Sequence, residues 1–417
     1  MARAWRAVRC LAPSAAVLLA LGCFEPPDGG REAPQEDVSR HLQALGYVAL
    51  DGDADRAVAG VVWHARERVS PGLNLFTNDV DAVLLVDAEG REVRRWTLPG
   101  RKHCEYAELI SGPRLAVVCE REALVVLEPD GAVALEIRAD VHHDVAERPD
   151  GSLLVPVRGE PAFYRGRKVV FDSLLEVATD GTTRVAWSSR DAVESLRPLH
   201  GPGELDSLPG PLRLAKNALL WILGRPMSIH EYYHLNSVEV LAESALGGSD
   251  DRFRAGHLLL GLRNANAAAV VDAESGDPLW VWGQDQLDLP HMPTLLSSGH
   301  LLVFDNGTQR GWTRIVEVEP RSGRVTWQYP ERPDPGFFSE WRGGVQRLPN
   351  GNTLVCMSEE GRVLELTREG EVVWEFWNPD VSEAGRKRIY RFTRIPQALA
   401  TQLLAESGDR EEAEPAP

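Results

Sequence analysis

The sequence predicts an all-β fold, a six-bladed β-propeller, and three observations support this prediction. A strand–turn–strand pattern that usually ends in tryptophan occurs six times along the chain. A second pattern, with a very apolar strand after its turn, alternates with the first. The chain has 417 residues with 37 glycines and 28 prolines, which suits many short strands joined by tight turns.

The first pattern is an apolar strand, a turn that contains glycine, and a second strand. Its copies are 84–96, 125–137, 174–187, 270–282, 315–327 and 363–374. The turn glycines stand roughly 41 to 50 residues apart, with one gap of 95, and such a spacing holds about four strands. A sheet of this size buries both faces only against neighbouring sheets, so the copies predict blades stacked around an axis.

The second pattern repeats a histidine at one position. His143 and His291 each lie eight residues before a turn glycine, and His103 lies nine residues before one. His234 begins a further copy whose turn is longer. Since the start of the inner strand lines the channel of a propeller, we expect these side chains to converge. A lone histidine is more often structural, but several in register favour a functional site.

Three more polar residues share a position on the far side of these turns. Arg158, Arg263 and Asn306 each stand seven residues after the turn glycine. Equivalent positions of neighbouring repeats face one volume, so we expect these side chains beside the histidines.

The N-terminus resembles a bacterial export signal. Three arginines form its positive region: Arg3, Arg6 and Arg9. The apolar run 11–21 is too short to span a bilayer comfortably. It ends in Leu-Gly-Cys, which resembles a lipobox and makes Cys23 the predicted lipidation site. The alternative is an ordinary signal peptide with an incidental cysteine.

The predicted organisation has four parts. They are a signal peptide (1–22), a lipid-anchored linker and N-terminal segment (23–57), the propeller (58–396) and an acidic tail (397–417). Phe24 rather than aspartate follows the lipidated cysteine, which predicts an exported outer-membrane lipoprotein facing the periplasm or the cell surface.

The net charge argues against a nucleic-acid partner. It is −17 for the whole chain, and removal of the three signal arginines makes it −20. An anionic small substrate stays possible, because the field of a site can oppose the global charge.

Cys104 and Cys119 stand equally far from the turn at 111–112. A hairpin there would place them opposite each other, where they could form a disulfide in an oxidising compartment. Two small buried residues on neighbouring strands are the equally weighted alternative.

A helical insertion is predicted between about 188 and 233, where the repeat spacing breaks. Its apolar run 212–223 could pack on the side of the propeller or cap the channel mouth.

Five segments resemble the secreted bacterial arylsulfotransferase family. They are His142-His143-Asp144 with Pro149-Asp150-Gly151, Tyr233 to Ser237, Leu260 to Asn264, His291-Met292-Pro293 with Leu302 to Gly307, and Gln346 to Asn352. The resemblance runs from about residue 60 to 396. It implies a six-bladed propeller with its site at the channel mouth. It also implies an enzyme that moves a sulfuryl group from a phenolic sulfate ester to a phenol, without a nucleotide sulfate donor.

When the functional residues of the family are matched to this sequence one by one, the resemblance implies that His291 is the nucleophile that is transiently sulfurylated. It places four residues around the sulfuryl group: His143, His234, Asn236 and Arg263. Family members often have aspartate after the nucleophile, whereas this chain has Met292.

These residue types are suited to sulfuryl transfer. A neutral imidazole is a competent nucleophile near pH 7, an arginine fork can hold the sulfuryl oxygens, and a second histidine can move the phenol proton. No metal or other cofactor is expected.

Three other interpretations are compatible with the repeats and the histidines in register. The Asp272 to Trp280 stretch resembles the tryptophan-docking repeats of quinoprotein propellers. The four histidines in register could instead bind one metal ion. The third interpretation is that the protein is a propeller that binds partners or acts as a scaffold without catalysis.

Overall fold

The computed structural model describes residues 58–164, 167–196, 229–382 and 385–406. These are mostly β-strand with one α-helix, which confirms the all-β prediction. The predicted signal, the linker and N-terminal segment with Cys23, and the run 212–223 all lie outside the described residues. No helix within the described ranges is long and apolar enough to cross a membrane.

The described residues contain thirty strands. The first fourteen are β1 (Gly60–His64), β2 (Leu73–Thr77), β3 (Ala82–Val86), β4 (Glu92–Thr97), β5 (Cys104–Ile110), β6 (Arg114–Cys119), β7 (Ala123–Leu127), β8 (Val133–Arg138), β9 (Ala146–Glu147), β10 (Leu153–Arg158), β11 (Ala162–Tyr164), β12 (Arg167–Val170), β13 (Asp172–Val177) and β14 (Thr183–Ser188). The others are β15 (Ile229–Glu231), β16 (Leu235–Val240), β17 (Leu258–Leu262), β18 (Ala267–Val271), β19 (Pro278–Trp282), β20 (His291–Leu295), β21 (Leu301–Asp305), β22 (Arg314–Glu319), β23 (Arg324–Tyr329), β24 (Gly344–Arg347), β25 (Thr353–Met357), β26 (Arg362–Leu366), β27 (Val372–Trp377), β28 (Val381–Ser382), β29 (Gly385–Arg386) and β30 (Phe392–Ile395). The helices are α1 (Gln397–Glu406) and the 3-10 turns Asp191–Val193, Asp251–Phe253 and Arg263–Ala265.

Most strands belong to six antiparallel sheets. In spatial order they are sheet I (β30, β2, β3, β4), sheet II (β5 to β8), sheet III (β9, β10, β13, β14), sheet IV (β16 to β19), sheet V (β20 to β23) and sheet VI (β24 to β27, then β1). A smaller sheet of β11, β12 and β15 contains the parallel pair β12–β15. Strands β28 and β29 form a two-stranded ribbon.

Each sheet packs on the next through a hydrophobic cluster, and a sixth cluster joins sheet VI to sheet I. Strand β6 shows how packing on both faces of a sheet determines the sequence of a strand. Leu115, Val117 and Cys119 point into the cluster shared with sheet I, whereas Ala116 and Val118 point into that shared with sheet III. Since successive side chains face opposite sides, a strand buried on both sides is continuously apolar.

The tryptophans of the first sequence pattern tie neighbouring sheets together. Trp96 Nε1 donates to the carbonyl of Pro129 in sheet II at 2.8 Å, and Trp374 Nε1 donates to Ala88 in sheet I at 2.8 Å. Equivalent bonds join Trp187 to Gly276, Trp280 to Pro320, Trp282 to Gly323 and Trp327 to Arg368. A turn glycine with positive φ also leaves room for the indole, since a Cβ at Gly323 would lie 3.0 Å from the Trp282 ring.

The ends of the described chain pair with each other, β30 with β2 and β1 with β27. A buried ion pair supports this closure: Arg394 Nη1 lies 3.0 Å from Glu365 Oε2. Helix α1 follows and buries Ala400 and Leu403 between sheets I and II. Residues 397–406, predicted as the start of an acidic tail, are therefore a packed helix, and 407–417 lie outside the described residues.

Cys104 and Cys119 face each other on β5 and β6 and are joined by a disulfide. Of the predicted helical insertion, the described parts are the end of β14, a 3-10 turn (191–193) and β15.

Candidate active site

The three predicted histidines lie at the same end of sheets III, IV and V. His143 precedes β9, His234 immediately precedes β16, and His291 is the first residue of β20. His143 Nε2 lies 2.9 Å from His234 Nε2. Both rings, and Arg263 at the end of β17, are close enough to act electrostatically on His291.

The backbone at this site is strained. His143, His234 and Met292 have left-handed conformations, with φ of 68°, 52° and 48°. Such values are uncommon for residues other than glycine. The ladder β16–β17 shifts register at Asn236, and β20–β21 shifts just after His291. Bulges and strained residues of this kind re-aim side chains and cluster at functional sites.

His143 and His234 form a linked pair in which each ring has its own glutamate. Glu231 bonds to Nδ1 of His234 and also accepts from Arg158 Nε at 2.8 Å. Glu105 accepts the backbone N–H of His143 at 2.8 Å, and its carboxylate lies 3.4 Å from the His143 Nδ1, without a formed hydrogen bond. One proton can be shared between the facing Nε2 atoms, so the pair can give or accept a proton.

The pKa values of this pair follow from burial and charge. Burial, and then the neighbouring His234, hold the pKa of His143 well below its usual range. Burial alone would raise the pKa of Glu231, but its hydrogen bond to His234 and the charges of His234 and Arg158 lower it. Glu231 is therefore an ionised hydrogen-bond partner of the His234 ring.

Asn306 fixes the orientation and tautomer of His291. The Asn306 Nδ2 donates to the carbonyls of Ser339 at 2.7 Å and Arg342 at 2.9 Å, so its Oδ1 is the free acceptor. That oxygen lies 2.7 Å from His291 Nδ1, which must then carry the proton. The Nε2 atom of His291 is left as the basic nitrogen, and burial holds the pKa of the ring well below its usual range.

Arg263 is a buried cation with unused donors. Its Nη1 donates to Asn264 Oδ1 at 3.1 Å, whereas Nε and Nη2 are buried without a hydrogen-bond partner. The guanidinium lies 5.1 Å from the ring centre of Trp341 and forms no ion pair within the described part of the chain. Burial lowers its pKa to about 10, so it stays charged at neutral pH. This arrangement suits a bound anion.

Asn236 links the nucleophile candidate to the rest of the site. Its Nδ2 donates to the carbonyl of Pro290 at 2.8 Å, which holds the residue that precedes His291. Its Oδ1 is buried without a partner. Gly261 makes room for this side chain, since a Cβ there would lie 2.5 Å from Oδ1.

Sequence reasoning did not single out four residues of this site. They are Glu105, Glu231, Trp341 and Tyr390. The Tyr390 hydroxyl is buried without a partner, and its ring centre lies 5.8 Å from that of His143. None of the four occupies the repeat position that identified the histidines. His103, which shares that register, is exposed.

The arrangement combines an unprotonated nitrogen, an unpaired cation and a proton-exchanging pair. It can therefore attack an electrophilic centre, hold anionic oxygens and protonate a leaving group. Within the described ranges, no group of three or more His, Cys, Asp or Glu is placed to hold a metal ion.

Comparison with known protein families agrees with a site that transfers an anionic group. Residues 138–379 match the model of the arylsulfotransferase (ASST) family. Since this match covers more than half of the chain, the protein belongs to the arylsulfotransferase family, as the sequence segments predicted. Family membership supports a sulfotransferase-like function and phenolic substrates in general. No curated protein matches the chain.

Solved structures show similarity of fold alone. A protein of unknown function from Bacteroides caccae has a TM-score of 0.51 and 15% identity, covering 79% of this chain and 100% of its own. The β-propeller domain of Myceliophteria thermophila Cps50 (Swd1) has a TM-score of 0.42 and 14% identity, covering 78% and 87%. A streptogramin B lyase has a TM-score of 0.43 and 11% identity, covering 78% and 84%.

Proposed function

We propose that this protein transfers a sulfuryl group from a phenolic sulfate ester to an acceptor phenol through a sulfohistidine at His291. The Nε2 of His291 attacks sulfur, an N–S bond forms, and the S–O bond to the donor phenol breaks. The leaving phenolate takes a proton from the His143–His234 pair. In the second half, the acceptor phenol returns a proton to that pair, its oxygen attacks sulfur, and His291 is regenerated.

The single observation that carries the proposal is the pairing of a free His291 Nε2 with a cation that has unused donors. Asn306 sets the tautomer, and Arg263 offers Nε and Nη2 to the sulfuryl oxygens. The bond to Asn306 orients the His291 ring in a chain that has Met292 where family members often have aspartate.

The same proposal includes the architecture and location. The cyclic packing of sheets I to VI and the paired chain ends support a six-bladed propeller with the site at one end of its channel. The lipobox-like Cys23 supports export and anchoring to the outer membrane through lipid.

The test is incubation of the purified protein with 4-nitrophenyl sulfate and a phenol. We expect nitrophenol release that requires the acceptor, with a sulfate-sized mass increase on the peptide that contains His291. His300→Ala is the matched control, because His300 bonds to Glu317 outside the site. Absence of turnover in the wild type, or equal turnover in His291→Ala, would favour the non-catalytic binding propeller instead.

A further inference from the structure

A cavity of about 840 Å³ lies next to the candidate active site along the same strands. The cavity is lined by residues on or next to the first strand of each of the six sheets. It therefore lies where these six first strands come together. It includes Asp144, Ser237 and Met292, each of which follows a predicted catalytic residue in sequence. The three site histidines and Arg263 are not among its lining residues.

The lining contains five carboxylates and three guanidinium groups. The guanidinium groups are already paired. Arg391 Nη1 lies 2.7 Å from Asp144, Arg347 Nη2 lies 2.8 Å from Glu317, and Arg368 bonds to the same Glu317. The cations therefore neutralise only two of the five carboxylates.

Glu108, Glu147 and Glu239 form no ion pair within the described ranges. Glu239 accepts one hydrogen bond, from the backbone of Leu295 at 3.0 Å. The Oε1 atom of Glu147 is buried without a hydrogen-bond partner. Burial raises the pKa of Glu239 to about 8 and that of Glu108 to about 7, although a hydrogen bond from Tyr106 and the charge of Arg391 oppose the rise at Glu108. Glu239 therefore carries a proton at neutral pH, and Glu108 does so in part, until a cation binds beside them.

Two further groups in the lining have unused hydrogen-bonding atoms. Ser237 and Arg391 are each only 3% exposed, and neither the Ser237 Oγ nor the Arg391 Nε has a partner. The other walls are apolar and include Val238, Leu296 and Val345. The cavity thus combines a hydrocarbon surface with three glutamates that form no ion pair and with unfilled polar positions.

We propose that this cavity is a binding site for a small organic ammonium ion, such as an aliphatic diamine. Each ammonium group pairs with a glutamate among the three that form no ion pair, and the hydrocarbon chain packs on the apolar walls. A bare metal ion fits less well, because no group of acidic or histidine residues within the described ranges is arranged as a metal site. The volume lies in the range of small-molecule pockets. This inference does not depend on sulfuryl transfer.

Calorimetric titration of the purified protein with 1,6-diaminohexane tests the site. We expect saturable binding of one diamine and no binding of 1,6-hexanediol, which has the same length without charge. Glu239→Gln and Glu108→Gln should each weaken binding at least tenfold. Glu160→Gln, on an exposed loop, is the matched control and should bind like the wild type.

Thermal unfolding of each variant checks that it folds, and the second glutamate variant keeps the test valid if the first is unstable. No diamine binding at millimolar concentration would overturn the proposal. Equal affinity in both cavity variants, binding of the diol, or preference for Mg²⁺ over the diamine would also overturn it. Turnover of 4-nitrophenyl sulfate is a separate measurement, so failure here is distinguishable from failure of the proposed enzyme activity.

Discussion

His291 Nδ1 lies 2.7 Å from Asn306 Oδ1, and this contact sets which nitrogen of the imidazole can react. The amide cannot rotate without losing its two bonds to the carbonyls of Ser339 and Arg342. A neutral amide also leaves the pKa of His291 low, whereas a carboxylate would raise it. The site therefore keeps a neutral nucleophile over a wide range of pH.

The first prediction concerns Asn306. Asn306→Ala should lower kcat roughly 10- to 100-fold, because a supporting partner of a reactive histidine is lost. Asn306→Asp should stabilise the imidazolium, so the acid limb of the pH–rate profile should move to higher pH. A purely structural role would lower the rate without moving that limb. Asn350→Ala, at an exposed turn, should leave the profile unchanged.

The second prediction concerns Arg263. Arg263→Gln removes the buried guanidinium whose Nε and Nη2 have no partner, and it should lower kcat/KM by roughly 100- to 1,000-fold. Arg263→Lys should recover little, since an ammonium cannot reproduce the planar fork. Steady-state kinetics with 4-nitrophenyl sulfate measure both variants. Unimpaired turnover in Arg263→Gln would exclude its role in holding the sulfuryl group, and Arg321→Gln at the surface is the control.

Much of this fold could be predicted from sequence because the repeat encodes it. The recurring turn glycine and tryptophan are the two groups that meet between neighbouring sheets, as Gly323 and Trp282 show. Helix α1 was not predicted, because the acidic residues from Glu406 onward led to an acidic tail being predicted for all of 397–417, although Gln397–Glu406 itself consists mostly of alanine and leucine.

The candidate site could be predicted only in part, because only some of its residues occupy positions of the sequence repeat. Repeat register identifies residues at equivalent strand positions, as for His143 and His291. Glu105 and Glu231 enter through a bulge and a separate short strand, positions that have no repeat equivalent. Tyr390 enters from the segment before the closing strand, where only the three-dimensional fold brings it beside His143.

The third prediction concerns stability at acid pH. His143 and His291 have pKa values held low in the folded state, whereas unfolded histidine titrates near pH 6.5. Below that pH the unfolded chain binds protons that the folded chain does not, so the free energy of unfolding should fall as pH drops. Each histidine contributes at most about 1.4 kcal/mol per pH unit. Glu108, whose pKa is raised to about 7, contributes the opposite slope.

Urea unfolding at pH 5, 6 and 7.5 isolates the histidine contribution when wild type and His291→Gln are compared. The variant should lose less stability on acidification. A constant difference between the two proteins at all three values would contradict the linkage.

The fourth prediction concerns the closure between β26 and β30. Arg394→Met leaves Glu365 buried without its cation and should lower the free energy of unfolding by roughly 3 to 5 kcal/mol. The double variant with Glu365→Gln should recover part of that loss, because the uncompensated charge is then absent. Lys387→Met, which breaks an exposed pair with Asp380, should have little effect. If the double variant is as unstable as Arg394→Met, the loss comes from packing rather than from charge.

The last prediction concerns the disulfide between Cys104 and Cys119. The two residues are 15 apart in sequence, and opening a loop of that length should lower the free energy of unfolding by about 3 kcal/mol. Cys104 also precedes Glu105, whose carboxylate accepts the backbone N–H of His143, so loosening β5 should slow proton transfer as well. Cys104→Ala/Cys119→Ala should therefore be less stable and show a lower kcat, with KM nearly unchanged. Cys356→Ala is the control, because Cys356 is a free buried thiol outside the pair. Equal urea midpoints for the double variant and the wild type would show that the pair does not stabilise sheet II.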